Sequence, residues 1–303
     1  MKSLYLLPLL ILAACKPSAS GPAPAAAAKD GMVSVAVANY PLQYFAERIG
    51  GDAVTVKFPA PGDEDPAFWQ PDDAAIAQYQ AADVILMNGA TYSKWAEKVT
   101  LPAMKVVDTS KGFAKAFIEI PASTTHSHGP GGEHSHSGTA FTTWIDFQQA
   151  IQQAEAVANA LKAAKPDSAG AVDANFQALK ADLEGLDARL VAVGKRIAGA
   201  PLMASHPVYH YFARRYGLNL KSVLWEPETV PDDKAMEELK SILTNHSAKH
   251  MICEGEPAKE SVTKLDALGI KSVVFDPCGN VPESGDFLTV MKANVEGLEK
   301  AFP

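Results

Sequence analysis

Four of the eight histidines in the chain, His126, His128, His134 and His136, fall within Thr125 to Gly138, THSHGPGGEHSHSG. A neutral imidazole offers one nitrogen donor to zinc and related borderline ions. Interleaved Ser, Gly and Pro let a short backbone fold several rings around one cation. The stretch reads as a metal-collecting loop, since it is internal and lies between two periodic segments, unlike a tag or a terminal polar tail. Further donors are spread along the second half of the chain. His206 follows the apolar run Pro201 to Ala204, Glu254 and Glu256 stand at the end of the run His250 to Glu254 and just beyond it, and Asp276 follows Lys271 to Phe275. If those runs are strands of an open parallel sheet, the residues after them sit where the ligands of such sheets bind. His206 with Asp276 is a suitable pair for a divalent ion, with the two glutamates as further carboxylates.

The elements needed to place these residues are legible in the patterning. Met32 to Ala38, Ala53 to Phe58, Asp83 to Met87 and Lys105 to Asp108 read as strands. Helices are expected over Pro41 to Ile49, from Asp72 or Asp73 to near Ala82, and over Tyr92 to Val99. This βαβα order implies a parallel sheet with helices on its faces. A helix over Phe147 to Ala164 follows. In the next, from about Asp167 to Ile197, the residues Val172, Phe176, Leu179, Leu183, Leu186, Leu190, Val193 and Ile197 recur at three- and four-residue spacings. Such a helix is about 45 Å long at 1.5 Å per residue, enough to run along two small domains. A second series follows, with strands at Pro201 to Ala204, Lys221 to Trp225, His250 to Glu254 and Lys271 to Phe275. Its helices are expected at Val208 to Tyr216, Asp232 to Thr244, Ala258 to Leu268 and Phe287 to Phe302. The fold class is α/β: two βα lobes joined by one long rigid helix, with a metal-binding cleft between them.

The start of the chain carries an address. Met1-Lys2, the apolar run Leu4 to Leu12 and then Leu12-Ala13-Ala14-Cys15 have the order of a secretory signal peptide. Its core is far shorter than the roughly 20 residues of a membrane span. Leu-Ala-Ala-Cys resembles a bacterial lipobox, which implies acylation of Cys15 and a lipid anchor. The expected organisation is a signal peptide with lipobox at 1–15, a flexible tether at 16–30, an N-terminal βα lobe at 31–145 that includes the loop 125–138, linking helices at 146–198 and a C-terminal βα lobe at 199–303. A net charge of −8 disfavours nucleic acid and suits cations. With three cysteines, no disulfide scaffold is expected, although Cys253 and Cys278, near the ends of successive strands, are placed to pair in an oxidising compartment.

The two-domain order with a long linking helix, SHPVYHYFARRYGL at Ser205 to Leu218, VVFDPCG at Val273 to Gly279, and a histidine-rich loop just before a Trp-containing strand resemble the zinc and manganese solute-binding lipoproteins of bacterial ABC uptake systems. The likeness is strongest to the ZnuA type and covers essentially the whole chain after Cys15. It implies capture of Zn2+, or of Mn2+ or another divalent ion. It also implies delivery to a permease and its ATPase, a periplasmic or cell-surface location, and a monomer without catalytic activity. It makes His206 a metal ligand, and Asp276 or a carboxylate near it another. The chain departs from the family where two further histidines are expected. Asp65-Pro66-Ala67-Phe68-Trp69-Gln70-Pro71 carries alanine at the first position, and Thr142-Thr143-Trp144 carries threonine at the second. The expectation is that one or two of His126, His128, His134 and His136 replace them, with Asp63, Glu64 or Asp65 as further donors.

Two other functions compete: a metal-buffering or adhesin-like lipoprotein without transport, and a zinc-dependent hydrolase. The hydrolase reading is disfavoured by the absence of HExxH, of GxSxG and of a general base at fixed spacing from a ligand pair.

Overall fold

A computed structural model describes residues 31–120, 125–127, 133–135, 138–226 and 228–303. The leader, Cys15, the tether, His128 and His136 lie outside them. The first sheet is built from β1 (Val33–Val37), β2 (Val54–Lys57), β3 (Val84–Met87) and β4 (Val106–Asp108), with helices α1 (Tyr40–Gly50) and α2 (Asp73–Ala81) between them. All four strands are parallel, in the order β2-β1-β3-β4. Every residue of β3, Val-Ile-Leu-Met, is buried, as expected of a strand covered on both faces. Asn39 and Asp72 accept the first free amides of α1 and α2, from Leu42 and Ala75. Tyr92 to Val99 is not an α-helix. Ala90 and Thr91 take the left-handed conformation, with φ of 49° and 60°, and only a 3-10 turn at Lys94–Lys98 follows.

Between the lobes the chain forms short antiparallel ladders. β5 (Glu119–Ile120) pairs with a strand of two residues, Gly138–Thr139, and inside that pair β6 (Thr125–Ser127) faces β7 (Glu133–Ser135), so that the strand at 138 is β8. Within the histidine tract, expected as an open loop, β6 and β7 pair in a register that sets His126 opposite His134. The Trp-containing strand expected after it is a 3-10 turn, Thr143–Ile145. Trp144 is buried there and donates its ring N–H to the carbonyl of Pro277 at 2.7 Å.

Helix α3 (Phe147–Ala164) follows, and α4 (Ala169–Arg196) runs for 28 residues without a break. Its buried side chains from Val172 to Val193 are the stripe read from the sequence. α4 packs on α1 and α3 of the first lobe and, in the second, on α5 (His210–Tyr216) and on the last helix. Gly194 is required where α4 crosses α5, because a Cβ there would lie 2.2 Å from the carbonyl oxygen of Tyr216. Asp187 fastens the same crossing. It accepts hydrogen bonds from Arg215 at 3.0 and 2.5 Å, from Tyr216 at 3.1 Å and from Gln148 at 3.0 Å. Burial alone would raise the Asp187 carboxyl, but these donors outweigh it and hold it below the usual range. Asp187→Ala is expected to lower stability by about 2 kcal/mol, since it strips three donor residues on two helices of their acceptor while Arg215 keeps some access to water. Chemical denaturation gives the value, and an unchanged midpoint would count against this role.

The second sheet repeats the first. β9 (Pro201–Ala204), β10 (Asn219–Ser222), β11 (His250–Cys253) and β12 (Lys271–Val274) are parallel in the order β10-β9-β11-β12. The flanking helices are α6 (Asp233–Asn245), α7 (Lys259–Ala267) and α8 (Phe287–Ala301). β10 begins and ends earlier than the expected Lys221 to Trp225. It is an edge strand with a mostly polar sequence. The chain beyond it still pairs with β9 through Val223 N–H to Ala204 O and Trp225 N–H to Ser205 O.

The cysteines correct one expectation. Cys253 and Cys278 are both free and buried. Cys253 packs with Met203 and Trp225 in one apolar cluster, whereas Cys278 belongs to the main core with Trp144 and Phe275. Their strands are neighbours, but the two thiols enter different cores.

Candidate metal-binding cleft

Each strand of the second sheet contributes one donor to the cleft. Beyond β9 comes His206, beyond β10 Glu226, beyond β11 Glu254 and beyond β12 Asp276. All four line a cavity of about 860 Å³ between the lobes. The strand order reverses between β9 and β11, so the crossovers leave in opposite directions there and open a crevice. His206 and Glu254 stand at this point. Ser205 holds them together, donating its N–H to Ile252 O at 2.8 Å and accepting the Glu254 N–H on its hydroxyl at 3.3 Å. Asp276 is fixed by a reciprocal pair of bonds with Asn294, and its Oδ1 accepts the Cys278 N–H at 2.6 Å. His206 is 2% exposed, with its Nδ1 3.9 Å from Glu226 Oε1.

The opposite wall comes from the first lobe. Asp63, Glu64 and Asp65, on the connection after β2, line the cavity together with several aromatic rings. Asp65 is shaped by its own turn, accepting the Ala67 amide at 2.9 Å. Asn280 reaches across from the second lobe and donates to the carbonyls of Pro61 and Glu64, both at 2.8 Å, which draws the acidic turn over the site. Further interlobe bonds run from Tyr211 Oη to Ala140 O, from Thr142 Oγ1 to Val208 O and from Tyr40 N to Gly279 O. With α4 behind both lobes, only modest closure on metal binding is expected. A change in radius of gyration of more than about 1 Å by small-angle scattering on adding zinc would contradict this.

The electrostatics are those of a site awaiting a cation. Burial, and then the charges of Asp65, Glu226 and Asp276, push the Glu254 carboxyl up to about 8. Burial likewise raises Asp276, with the Cys278 amide partly opposing it. A divalent ion would relieve both effects. Among the described residues no three His, Cys, Asp or Glu side chains converge closely enough to hold an ion as they stand. The donors surround a cavity and do not yet form a coordination sphere.

His206, Glu254 and Asp276 are therefore brought to one cleft, as their positions after strands implied, and Asp65 faces them from the acidic turn. Glu226 was missed. The same rule pointed to it, since Glu226 follows directly on the expected strand Lys221 to Trp225. Glu256 is exposed and takes no part in lining the cavity. The two substituted positions differ in kind. Thr142 lines the cavity, whereas Ala67 is 6% exposed in the core and does not. His210 is turned into a separate small cavity beside Pro207 and Ala140, and burial lowers its pKa. His246 is buried with Nε2 2.8 Å from Leu202 O, and His250 packs on Phe302. The tether of Cys15 and the side chains of the tract's histidines are outside what is described.

Two like parallel-sheet lobes, a helix spine behind them and ion-seeking donors at the facing strand ends define a two-lobed binding protein. The chain belongs to the family described as zinc-uptake complex component A, periplasmic, whose model matches residues 35–301. The zinc-binding lipoprotein AdcA of Streptococcus pneumoniae is 22% identical over 284 residues, covering 89% of this chain. The chain spans only 56% of that relative's length. The high-affinity zinc uptake system protein ZnuA of Bacillus subtilis is 25% identical over 305 residues, covering 96% of this chain and 93% of the relative. In structure, the chain is similar to Zn(II)-bound AdcA from S. pneumoniae, with a TM-score of 0.75 at 20% identity over 90% of this chain and 58% of that one. It is also similar to the metal-dependent lipoprotein YcdH of B. subtilis, with a TM-score of 0.74 at 20% identity over 88% and 98%. These structural likenesses establish the fold.

Proposed function

We propose that the protein captures zinc, or a related divalent ion, in the interlobe cleft and delivers it to the permease of an ABC uptake system. The observation that carries the reading is that His206, Glu226, Glu254 and Asp276, beyond the four strands of the second sheet, line one cavity, faced by Asp65. One imidazole among carboxylates suits zinc and also accepts manganese. Zinc is favoured by the printed descriptions of the relatives. Acylation at Cys15, following Leu12-Ala13-Ala14, would hold the binding lobes outside the cytoplasm beside the permease. The protein is read as a monomer without catalytic activity.

His206 and Asp276, with Glu254, form the half of the site contributed by the second lobe. One or two of His126, His128, His134 and His136 complete it when the ion arrives bare. His136 lies six residues before Thr142, which lines the cavity, so the reach is short. Ordering the segment costs about 1 kcal/mol per residue fixed. The test is zinc titration of the full chain against a variant with all four histidines changed to Ser. The wild type is expected to bind one zinc, and the variant to bind it at least about tenfold more weakly. Unchanged affinity would make the loop a scavenger and leave completion to Asp65 or Glu64, and no binding by either form would overturn metal capture.

A further inference from the structure

The cavity is much larger than an ion requires. Protein donors bond zinc at about 2.0–2.2 Å, whereas about 860 Å³ falls within the range of roughly 300–1,000 Å³ occupied by small organic ligands. The space has two unlike sides. The second lobe presents the donors, and the first presents a preformed aromatic wall of Phe68, Trp69, Tyr92, Phe141 and Trp144. Tyr92 packs edge-on against Phe141 at 5.3 Å and Trp144 at 5.8 Å, and Phe68 against Phe141 at 6.1 Å, so the wall is rigid. Gly279 lies at its edge, where a Cβ would make only ordinary contact, 3.6 Å from Trp144 and 3.8 Å from the Tyr92 hydroxyl. Tyr92 and Trp144 are buried within the wall, and the partly exposed Phe68 and Phe141 present its open ring surface. A lone hydrated ion has no use for such a wall. A planar ligand does.

Building on metal capture, we infer that the cleft accepts the ion together with a small nitrogen-donor chelator of amino-acid size, seated between the aromatic wall and the donors after β9, β11 and β12. Charge selects the class of chelator. Six carboxylates face the cavity, and no Lys or Arg is among the described residues lining it. The complex must therefore be cationic, which admits a neutral or zwitterionic chelator such as a free imidazole amino acid and excludes a polycarboxylate. His206 is the single imidazole among the described lining residues, and no three donors there converge on one point. A bidentate chelator supplies the outstanding positions. The loop histidines then serve bare ions and are dispensable for the complex.

The experiment uses the full chain with zinc alone, zinc with L-histidine, zinc with citrate, and L-histidine alone. Each mixture is passed through gel filtration, and the protein fraction is assayed for metal and amino acid. The expected result is one histidine retained per zinc, no citrate retained, and no histidine retained without zinc. Trp69 and Trp144 in the wall should report the complex as a fluorescence change that differs from that with zinc alone. The variant with four Ser in the loop is expected to weaken zinc alone while keeping the histidine complex within about threefold of wild type. Zinc retained without histidine, its affinity reduced by histidine as simple competition requires, would overturn the inference and leave metal capture standing. Loss of the complex in the loop variant would also overturn it, by returning the missing donors to the loop. Retention of neither zinc nor complex by the wild type would remove both readings.

Discussion

Replacing His206 with alanine is expected to reduce zinc affinity by about a thousandfold, with little change in fold. Losing a group that merely orients a ligand costs about 10–100-fold, and His206 is the ligand itself. It is also the one imidazole that the described residues bring to the cavity, at the switch point of the second sheet where Ser205 fixes its backbone. The side chain is 2% exposed, so its removal leaves a cavity, and a modest loss of stability accompanies the larger loss of binding. Competition titration against a chromophoric chelator separates the two. A variant that keeps wild-type affinity and stoichiometry would place the ion elsewhere.

Glu254→Gln is expected to act in opposite directions on stability and on binding. In the ion-free protein, burial and the neighbouring carboxylates hold Glu254 near 8, above the 4.5 of an ordinary glutamate. A folded-state value above the unfolded one means that the contribution to stability is full below about 4.5. It is lost as pH rises through about 8. At pH 8.5 the wild type without metal therefore carries an unfavourable buried charge that the amide lacks. Allowing for relaxation and water in the cavity, the variant should gain about 1–2 kcal/mol there, or several degrees in Tm, and little at pH 5. Zinc affinity should fall by about a hundredfold, because a charged donor beside His206 is gone. In the wild type near pH 7 the ion must displace the Glu254 proton, so calorimetry in buffers of different ionisation enthalpy should show proton release on binding. It should also show affinity weakening as pH falls. If Glu254→Gln left both Tm and affinity unchanged, Glu254 would not face the ion.

The sequence disclosed most of what depends on period and order. β-branched runs alternating with helices implied two parallel sheets, and the stripe from Val172 to Val193 located α4, because both signals arise from burial that repeats along the chain. His206 and Asp276 were found by the same logic, since in a parallel sheet the residue after a strand faces the ligand side whatever its neighbours are. What escaped depends on which face a residue turns to. Cys253 and Cys278 follow adjacent strands, yet one enters the cluster around Trp225 and the other the main core. Ala67 aligns with a ligand position but is sealed into the core. Glu226 was within reach of the same rule, because it follows directly on the expected strand Lys221 to Trp225, although β10 itself ends at Ser222. The pairing of β6 with β7 could not be read because Gly and Pro in the tract favour a turn without saying what flanks it.

The most direct test of metal capture in the cleft is anomalous diffraction at the zinc edge from crystals of the full chain grown with one equivalent of zinc. The expected map has one strong peak in the interlobe cavity, within bonding distance of the His206 imidazole and the Asp276 carboxylate, about 2.0–2.2 Å, with Glu254 alongside. A peak confined to the histidine tract or the outer surface, with neither His206 nor Asp276 bonded to zinc, would contradict the assignment.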